Sequence, residues 1–298
     1  MGSLFRRWVQ VAAALVTNAS YGFIFTHKIY RGILKSFCVP GLNCYSCPAA
    51  TFACPIGSLQ FLFAGIRPSL ASARLHVGAF VVGFLGSVGM LAGRFPCGWL
   101  CPFGFLQEMM YKIRSPKIRI PKILDYLKYV ILLFFVIILP LTVLDAFGYG
   151  STWFCKYICP AGTLEAGLPL MWMDPSLRHL IGFVFYNKLT ILILFLVLMV
   201  LSRRPFCRTV CPLGAIYSLF NKFSIVRMRF VEENCVRCNQ CLRDCPMELK
   251  FYEGANQLNC IRCFKCYTDS CRYGAIRLEV TGVTLPVRKE RGHKTVAE

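Results

Sequence analysis

One cysteine pattern recurs down the chain and constrains everything else. Cys97-Gly98-Trp99-Leu100-Cys101-Pro102-Phe103-Gly104-Phe105-Leu106 has the skeleton C-x3-C-P-x-G-x-L. The stretch from Cys155 through Cys159-Pro160-Ala161-Gly162 to Leu164 repeats it, as does the stretch from Cys207 through Cys211-Pro212-Leu213-Gly214 to Ile216. A fourth copy, Cys54-Pro55-Ile56-Gly57-Ser58-Leu59, keeps only the second half, and its upstream cysteines are displaced to Cys38, Cys44 and Cys47. Copies of one motif at intervals of about fifty residues are an internal repeat.

The motif has a physical reading. Two thiols four residues apart can face the same way. The residue before proline is pushed out of the helical region, whereas proline suits the first helical position. Cys101, Cys159 and Cys211 are therefore expected just before new helices. Free N–H groups and partial positive charge at a helix start favour thiolates and the anionic iron–sulfur cluster that thiolates hold. Isolated buried or disulfide-bonded cysteines would not each carry the same Pro and Gly.

Of 298 residues, 56% are hydrophobic and 16% charged, and the mean hydropathy is +0.54. That is a membrane protein's composition with a small soluble part attached. Eighteen cysteines in a chain of this length do not suit a disulfide scaffold, which is short and secreted. The chain has no C-x-x-C-H for covalent haem. It also has no Walker loop, and no G-x-G-x-x-G after a strand pattern. The formal net charge of +20 is carried by Lys and Arg collected in short loops beside apolar runs, as the positive-inside rule expects. It does not indicate nucleic-acid binding.

Four transmembrane helices are expected, over residues 8–25, 76–95, 124–144 and 183–201, each near the length a bilayer requires. The first resembles a signal peptide but runs on too long to be one. A short helix over 56–66 reads as re-entrant, tolerated at membrane depth where protein buries it. Gly78, Gly83, Gly86, Gly89 and Gly93 give the second span a small face for close helix packing. Arg6, Arg7, the basic residues of 112–122, Arg203 and Arg204 belong on the cytoplasmic side. Cys97, Cys101, Cys207 and Cys211 then form an inner set of four, the number that holds one [4Fe–4S] cluster. Cys38, Cys44, Cys47, Cys54, Cys155 and Cys159 form an outer set of six, more than one cluster needs.

From Ser224 the character changes. Cys235, Cys238, Cys241 and Cys245-Pro246 have the C-x2-C-x2-C-x3-C-P spacing of bacterial ferredoxins. Cys260, Cys263, Cys266 and Cys271 follow, with one extra residue before Cys271 and Arg272 in place of proline. The fourth cysteine of each run ligates the other cluster. One cluster is thus expected on Cys235, Cys238, Cys241 and Cys271, and a second on Cys245, Cys260, Cys263 and Cys266. Zinc sites use two C-x2-C pairs, not triplets. Residues 1–222 read as a membrane domain and 223–280 as an α+β ferredoxin-like domain with two [4Fe–4S] clusters. Residues 281–298 read as a charged, flexible tail.

The paired Cys-Pro-x-Gly motifs and the double ferredoxin run together resemble the NapH/NosR/FixG-like membrane iron–sulfur proteins over about 94–278. The resemblance implies a multi-pass protein of the prokaryotic cytoplasmic membrane, with its ferredoxin domain inside. It implies about four [4Fe–4S] clusters carrying electrons between a cytoplasmic partner and a membrane or extracytoplasmic one. Soluble ferredoxin or flavodoxin, other redox subunits, a flavin-bearing extracytoplasmic protein and quinone are the partner classes. A quinol dehydrogenase subunit, with His27, His76 and His179 as proton partners, remains open. So does a redox-dependent assembly or metal-reductase factor, or a sensor.

Overall fold

The computed structural model describes residues 2–26, 28–67 and 76–284. The motif prolines open helices as their chemistry requires. Cys54, Cys101, Cys159 and Cys211 all have extended backbones (ψ 126, 115, 106 and 110°), and each stands at the N-cap of a helix that begins at proline. Two of these cysteines also act as caps. Gly162 N donates to Cys159 Sγ and Gly214 N to Cys211 Sγ, both at 3.4 Å, satisfying an N–H that the helix itself leaves free.

In chain order the main helices are α1 (Gly2–Thr17), α2 (Pro55–Ala64), α3 (His76–Ala92), α4 (Phe95–Trp99), α5 (Pro102–Met110) and α6 (Lys122–Thr142). They continue with α7 (160–173, two helical pieces joined by a π turn), α8 (Phe183–Leu201), α9 (Pro205–Thr209) and α10 (Pro212–Phe220). Helices α6 and α8 are long and apolar enough to cross a membrane, with mean hydropathy 2.2 and 2.4. The helix expected for the fourth span has the bounds read from sequence, and the helix expected for the third shifts by two residues.

The first expected span changes in kind. Helix α1 stops at Thr17, where its last carbonyl accepts from Asn43 Nδ2 (3.1 Å) and from Thr51 N and Oγ1 (both 3.0 Å). One face buries Arg6, Gln10 and Thr17, so α1 is an amphipathic helix packed on α4 and α5. Helix α3 is described from His76 to Ala92. Its glycines do not form one packing face: a Cβ on Gly89 would meet the Phe220 ring at 2.5 Å, whereas Gly83 and Gly86 meet nothing within 4 Å. Gly93, at φ +56°, makes the turn into Arg94 that a side chain there would resist.

Beyond α10 an antiparallel sheet forms from β1 (Val226–Phe230), β2 (Ile276–Val280) and β3 (Val283–Thr284), in the order β1-β2-β3 with Met228 opposite Leu278. The expected tail from 281 therefore starts inside this sheet, because Thr281 and Gly282 make a hairpin turn with positive φ. Residues 285–298 lie outside the described residues.

Buried polar groups lock this C-terminal part to the helices. Asn221, with no exposed surface, donates to the carbonyls of Gln257, Leu258 and Cys260 and accepts from Arg94 N. Arg208 spans from Asp125 Oδ1 (3.2 Å) to Glu248 Oε2 (2.8 Å). Arg203 donates to the carbonyls of Arg243 and Cys245. Arg262 is buried and bonded to Asn221 O and Val226 O.

Candidate metal centres

The eighteen cysteines separate into four quartets and two remaining residues. In the ferredoxin-like part, Cys235, Cys238, Cys241 and Cys271 line one small cavity. Cys245, Cys260, Cys263 and Cys266 line another, which Cys241 also borders. Each holds about 30 Å³. The fourth cysteine of each run thus crosses to the other run's cavity. Both runs turn the same way: Arg237 and Asn239 have positive φ, and so do Arg262 and Phe264 at the matching positions. Left-handed residues among right-handed ones turn successive N–H groups into an anion-holding concavity. The extra residue before Cys271 is absorbed by a π turn over Cys266–Ser270.

The third quartet is Cys97, Cys101, Cys207 and Cys211, all buried and electrostatic neighbours of one another. Gln107 Nε2 donates to Cys207 Sγ at 3.0 Å and Leu42 N to Cys101 Sγ at 3.5 Å. The two copies of the motif exchange arginines here. Arg94 donates to Cys207 O (3.0 Å), and Arg204 donates to Cys97 O (2.6 Å). The motif glycines leave room for them. A Cβ on Gly214 would stand 2.7 Å from Arg94 Nη2, and one on Gly104 would stand 3.2 Å from Arg204 Nη1.

The fourth quartet draws on the irregular copy. Cys44, Cys54, Cys155 and Cys159 line a cavity of about 470 Å³. Gln60 Nε2 donates to Cys155 Sγ (3.0 Å), and Gln60 Oε1 accepts from Phe154 N. Cys44 N donates to Glu165 Oε2 at 2.7 Å, and burial pushes the Glu165 carboxyl up to about 7 against that hydrogen bond. The two cysteines left over, Cys38 and Cys47, are buried outside this cavity. Of the histidines considered, His27 and the side chain of His76 lie outside the described residues, and His179 is exposed.

The donor sets suit iron–sulfur clusters. Burial in apolar surroundings pushes the thiols of Cys44, Cys155 and Cys245 up to about 12, so a bare thiolate there lacks the compensation that bound iron provides. Among the described residues no three His, Cys, Asp or Glu side chains converge on a single ion. A cubane cluster holds its four sulfur ligands further apart than one ion does. Sequence reasoning found the cysteines but missed Arg94, Arg204, Gln60, Gln107 and Glu165. The arginines were legible as the residue three before Cys97 and three before Cys207.

The quartets lie in sequence through contacts. Helix Gln240–Asp244 joins Cys241 and Cys245 of the first two. Trp99 Nε1 donates to Arg262 O at 3.1 Å, and a Cβ on Gly98 would stand 2.5 Å from Ile261 O. Gly98 and Trp99 lie between Cys97 and Cys101, and Ile261 and Arg262 lie between Cys260 and Cys263. The loop carrying Leu42, bonded to Cys101 Sγ, reaches Cys44 two residues on.

The comparisons point to the same iron–sulfur chemistry. The family described as a 4Fe-4S binding domain matches three segments, 74–121, 127–168 and 186–230, each containing one full copy of the motif. Protein MJ0749 of Methanocaldococcus jannaschii is 33% identical over 213 residues, covering 68% of this chain and 70% of the relative. The putative electron transport protein YccM of Escherichia coli is 28% identical over 63% of this chain and half of its own length. Regulatory protein NosR of Pseudomonas aeruginosa is 28% identical over 55% of this chain and 21% of its own length. No solved structure matches the chain. With its ferredoxin run and its paired Cys-Pro-x-Gly motifs, this chain belongs to the NapH/NosR/FixG-like family of 4Fe-4S-binding electron-transfer proteins.

Proposed function

We propose that this protein is a multi-pass electron conduit of the prokaryotic cytoplasmic membrane, with one [4Fe–4S] cluster held by each of the four cysteine quartets. Bound there, the clusters supply one-electron carriage. The observation that carries the reading is the unbroken series of contacts from Cys238, the one exposed cysteine, inward to Cys155 and Cys159. A hydrocarbon core of about 30 Å is too thick for one electron hop, and sulfur ligands at several depths shorten each step. Helices α6 and α8 supply two spans. Helix α3 and the buried α2 complete the membrane part, with α2 re-entrant against α3 and α10.

The buried side chains hold the quartets at fixed separation. Asn221, Arg94 and Arg208 join the ferredoxin-like part to the helices through bonds with no exposed alternative, so no hinge separates the second quartet from the third. The exposed Arg227, Arg229, Arg237 and Arg272 give the cytoplasmic end a positive field suited to an acidic ferredoxin or flavodoxin. Other redox subunits, including a flavin-bearing extracytoplasmic one, would meet the outer end. The test is iron and acid-labile sulfide per chain on anaerobically purified protein. About sixteen irons are expected from four cubane clusters. About eight would leave only the ferredoxin-like pair and defeat the conduit.

A second reading, quinol oxidation, is favoured by one observation. The outer cavity holds about 470 Å³, against about 30 Å³ for each ferredoxin-like site. The space beside Leu170, Phe61 and Lys188 suits an apolar ligand with a polar head. A quinone analogue that alters the outer cluster's EPR signal would support this reading.

A further inference from the structure

Four side chains occupy one place in the repeat. Six residues beyond the cysteine that precedes each motif proline stand Gln60, Gln107, Glu165 and Tyr217. The proline opens a helix, so this place falls at the end of the second turn, three residues beyond the motif glycine and on the same helix face. Gln60, Gln107 and Tyr217 have no exposed surface at all.

What each touches follows one rule: it addresses the first cysteine of the partner copy. Gln107 donates to Cys207 Sγ and Gln60 to Cys155 Sγ, both at 3.0 Å. Glu165 differs in accepting, from the backbone N–H of Cys44. The strongest electrostatic neighbour of Tyr217 among the cysteines is Cys97, which is the partner the rule assigns to it. The Tyr217 hydroxyl has no hydrogen-bond partner among the described residues. A buried hydroxyl is seldom left so, and a cluster held on Cys97 and its three partners would bring a sulfur acceptor to it.

We propose that this repeat position tunes the two clusters of the helical part, and that it sets the inner one, on Cys97, Cys101, Cys207 and Cys211, above the outer one in reduction potential. The inference rests on the four-cluster reading above. Hydrogen bonds and positive charge directed at cluster sulfur stabilise the form with the extra electron and raise its potential, and a carboxylate does the reverse. From this repeat position the inner site receives two donors, Gln107 and Tyr217, and the buried guanidinium groups of Arg94 and Arg204 lie beside it. From the same position the outer site receives one donor, Gln60, and the carboxyl of Glu165. Backbone N–H groups reach sulfur in both sites. Lys156 and Lys188 also line the outer cavity, and the buried Lys35 lies beside Cys44. Lys156 is exposed and its field is screened by solvent, and Lys35 donates to Cys47 O, outside the quartet. Electrons that reach the helical part would therefore collect at the inner site.

The experiment is an EPR-monitored redox titration of the full-length, anaerobically purified protein with dithionite, with iron measured on every sample. The inner signal is the one lost in Cys101→Ala and the outer signal the one lost in Cys159→Ala. The inner midpoint is expected above the outer. Tyr217→Phe and Gln107→Leu should lower the inner midpoint and leave the outer in place, while Glu165→Gln should raise the outer alone. Tyr217→Phe and Glu165→Gln nearly preserve volume, so they carry the test even if Gln107→Leu loses its cluster. A structural role would cost iron without moving a midpoint at full iron. Midpoints that stay put at full iron content, or an outer midpoint above the inner, would overturn the inference. A wild-type iron content near eight would instead overturn the four-cluster reading.

Discussion

Cys54 carries the motif proline and glycine, but nothing in the spacing separates Cys44 from Cys38 and Cys47, yet only Cys44 joins Cys54 in facing Cys155 and Cys159. The backbone decides this. Val39 N bonds to Ala53 O and Ala53 N to Phe37 O, which ties Cys38 beside α2, while Glu165 captures Cys44 N across the cavity. Cys38→Ala and Cys47→Ala should therefore retain full iron, and Cys54→Ala should lose about four irons per chain, read by colorimetric iron assay. Glu108 is a second residue whose weight only packing shows. Burial alone would raise its carboxyl, but Arg204 and Arg6, both at 2.7 Å, outweigh burial and hold it below the ordinary range. A carboxylate with a lowered folded pKa contributes stability above its unfolded value, and that stability is lost as pH falls through the folded one. Acidification should loosen the junction of α1, α5 and α9, seen as faster amide exchange in α1. Glu108→Ala leaves two buried arginines unpaired and should cost about 3 kcal/mol in thermal unfolding of the detergent-solubilised protein.

Among the elements, α8 was legible because it is apolar on every side: a run of nineteen residues without an acidic group needs no partner to declare itself. Helix α1 misled because summed hydropathy ignores which face a residue occupies. Its Arg6 and Gln10 both reach Gly98 O, at 3.2 and 3.0 Å, on a partner ninety residues away in sequence. The same glycine marks the contact between α4 and the ferredoxin-like loop. Gly98→Ala would place a Cβ 2.5 Å from Ile261 O, so helix and loop must part. Increased amide exchange at 260–263 and slower electron arrival at the helical clusters in stopped flow should follow together. Asn221→Ala would strip hydrogen bonds from three buried carbonyls, at about 1–3 kcal/mol, and should expose the ferredoxin-like part to limited proteolysis.

At the scale of the whole molecule, the basic residues behind the formal charge of +20 serve different ends: those of the loops flank apolar helices, buried arginines join the two parts, and exposed ones stand at the ferredoxin-like end. Only the exposed group steers a partner. Reduction by an acidic carrier should accordingly slow as ionic strength rises through physiological values, where charge is screened over about 8 Å. Membrane insertion predicts that the protein stays in the pellet after a carbonate wash. The chemistry of the site was written in the sequence: cysteine spacing and the proline after it are local facts, set by steric limits on a few neighbouring bonds, and they determined the ligand type, the helix starts and both ferredoxin-like quartets. Tertiary structure alone decided which of six outer cysteines share a cavity, that Arg94 and Arg204 are exchanged between motif copies, and that α1 packs as an amphipathic helix. Those outcomes depend on burial and hydrogen bonding between segments roughly a hundred residues apart, which spacing along the chain does not encode.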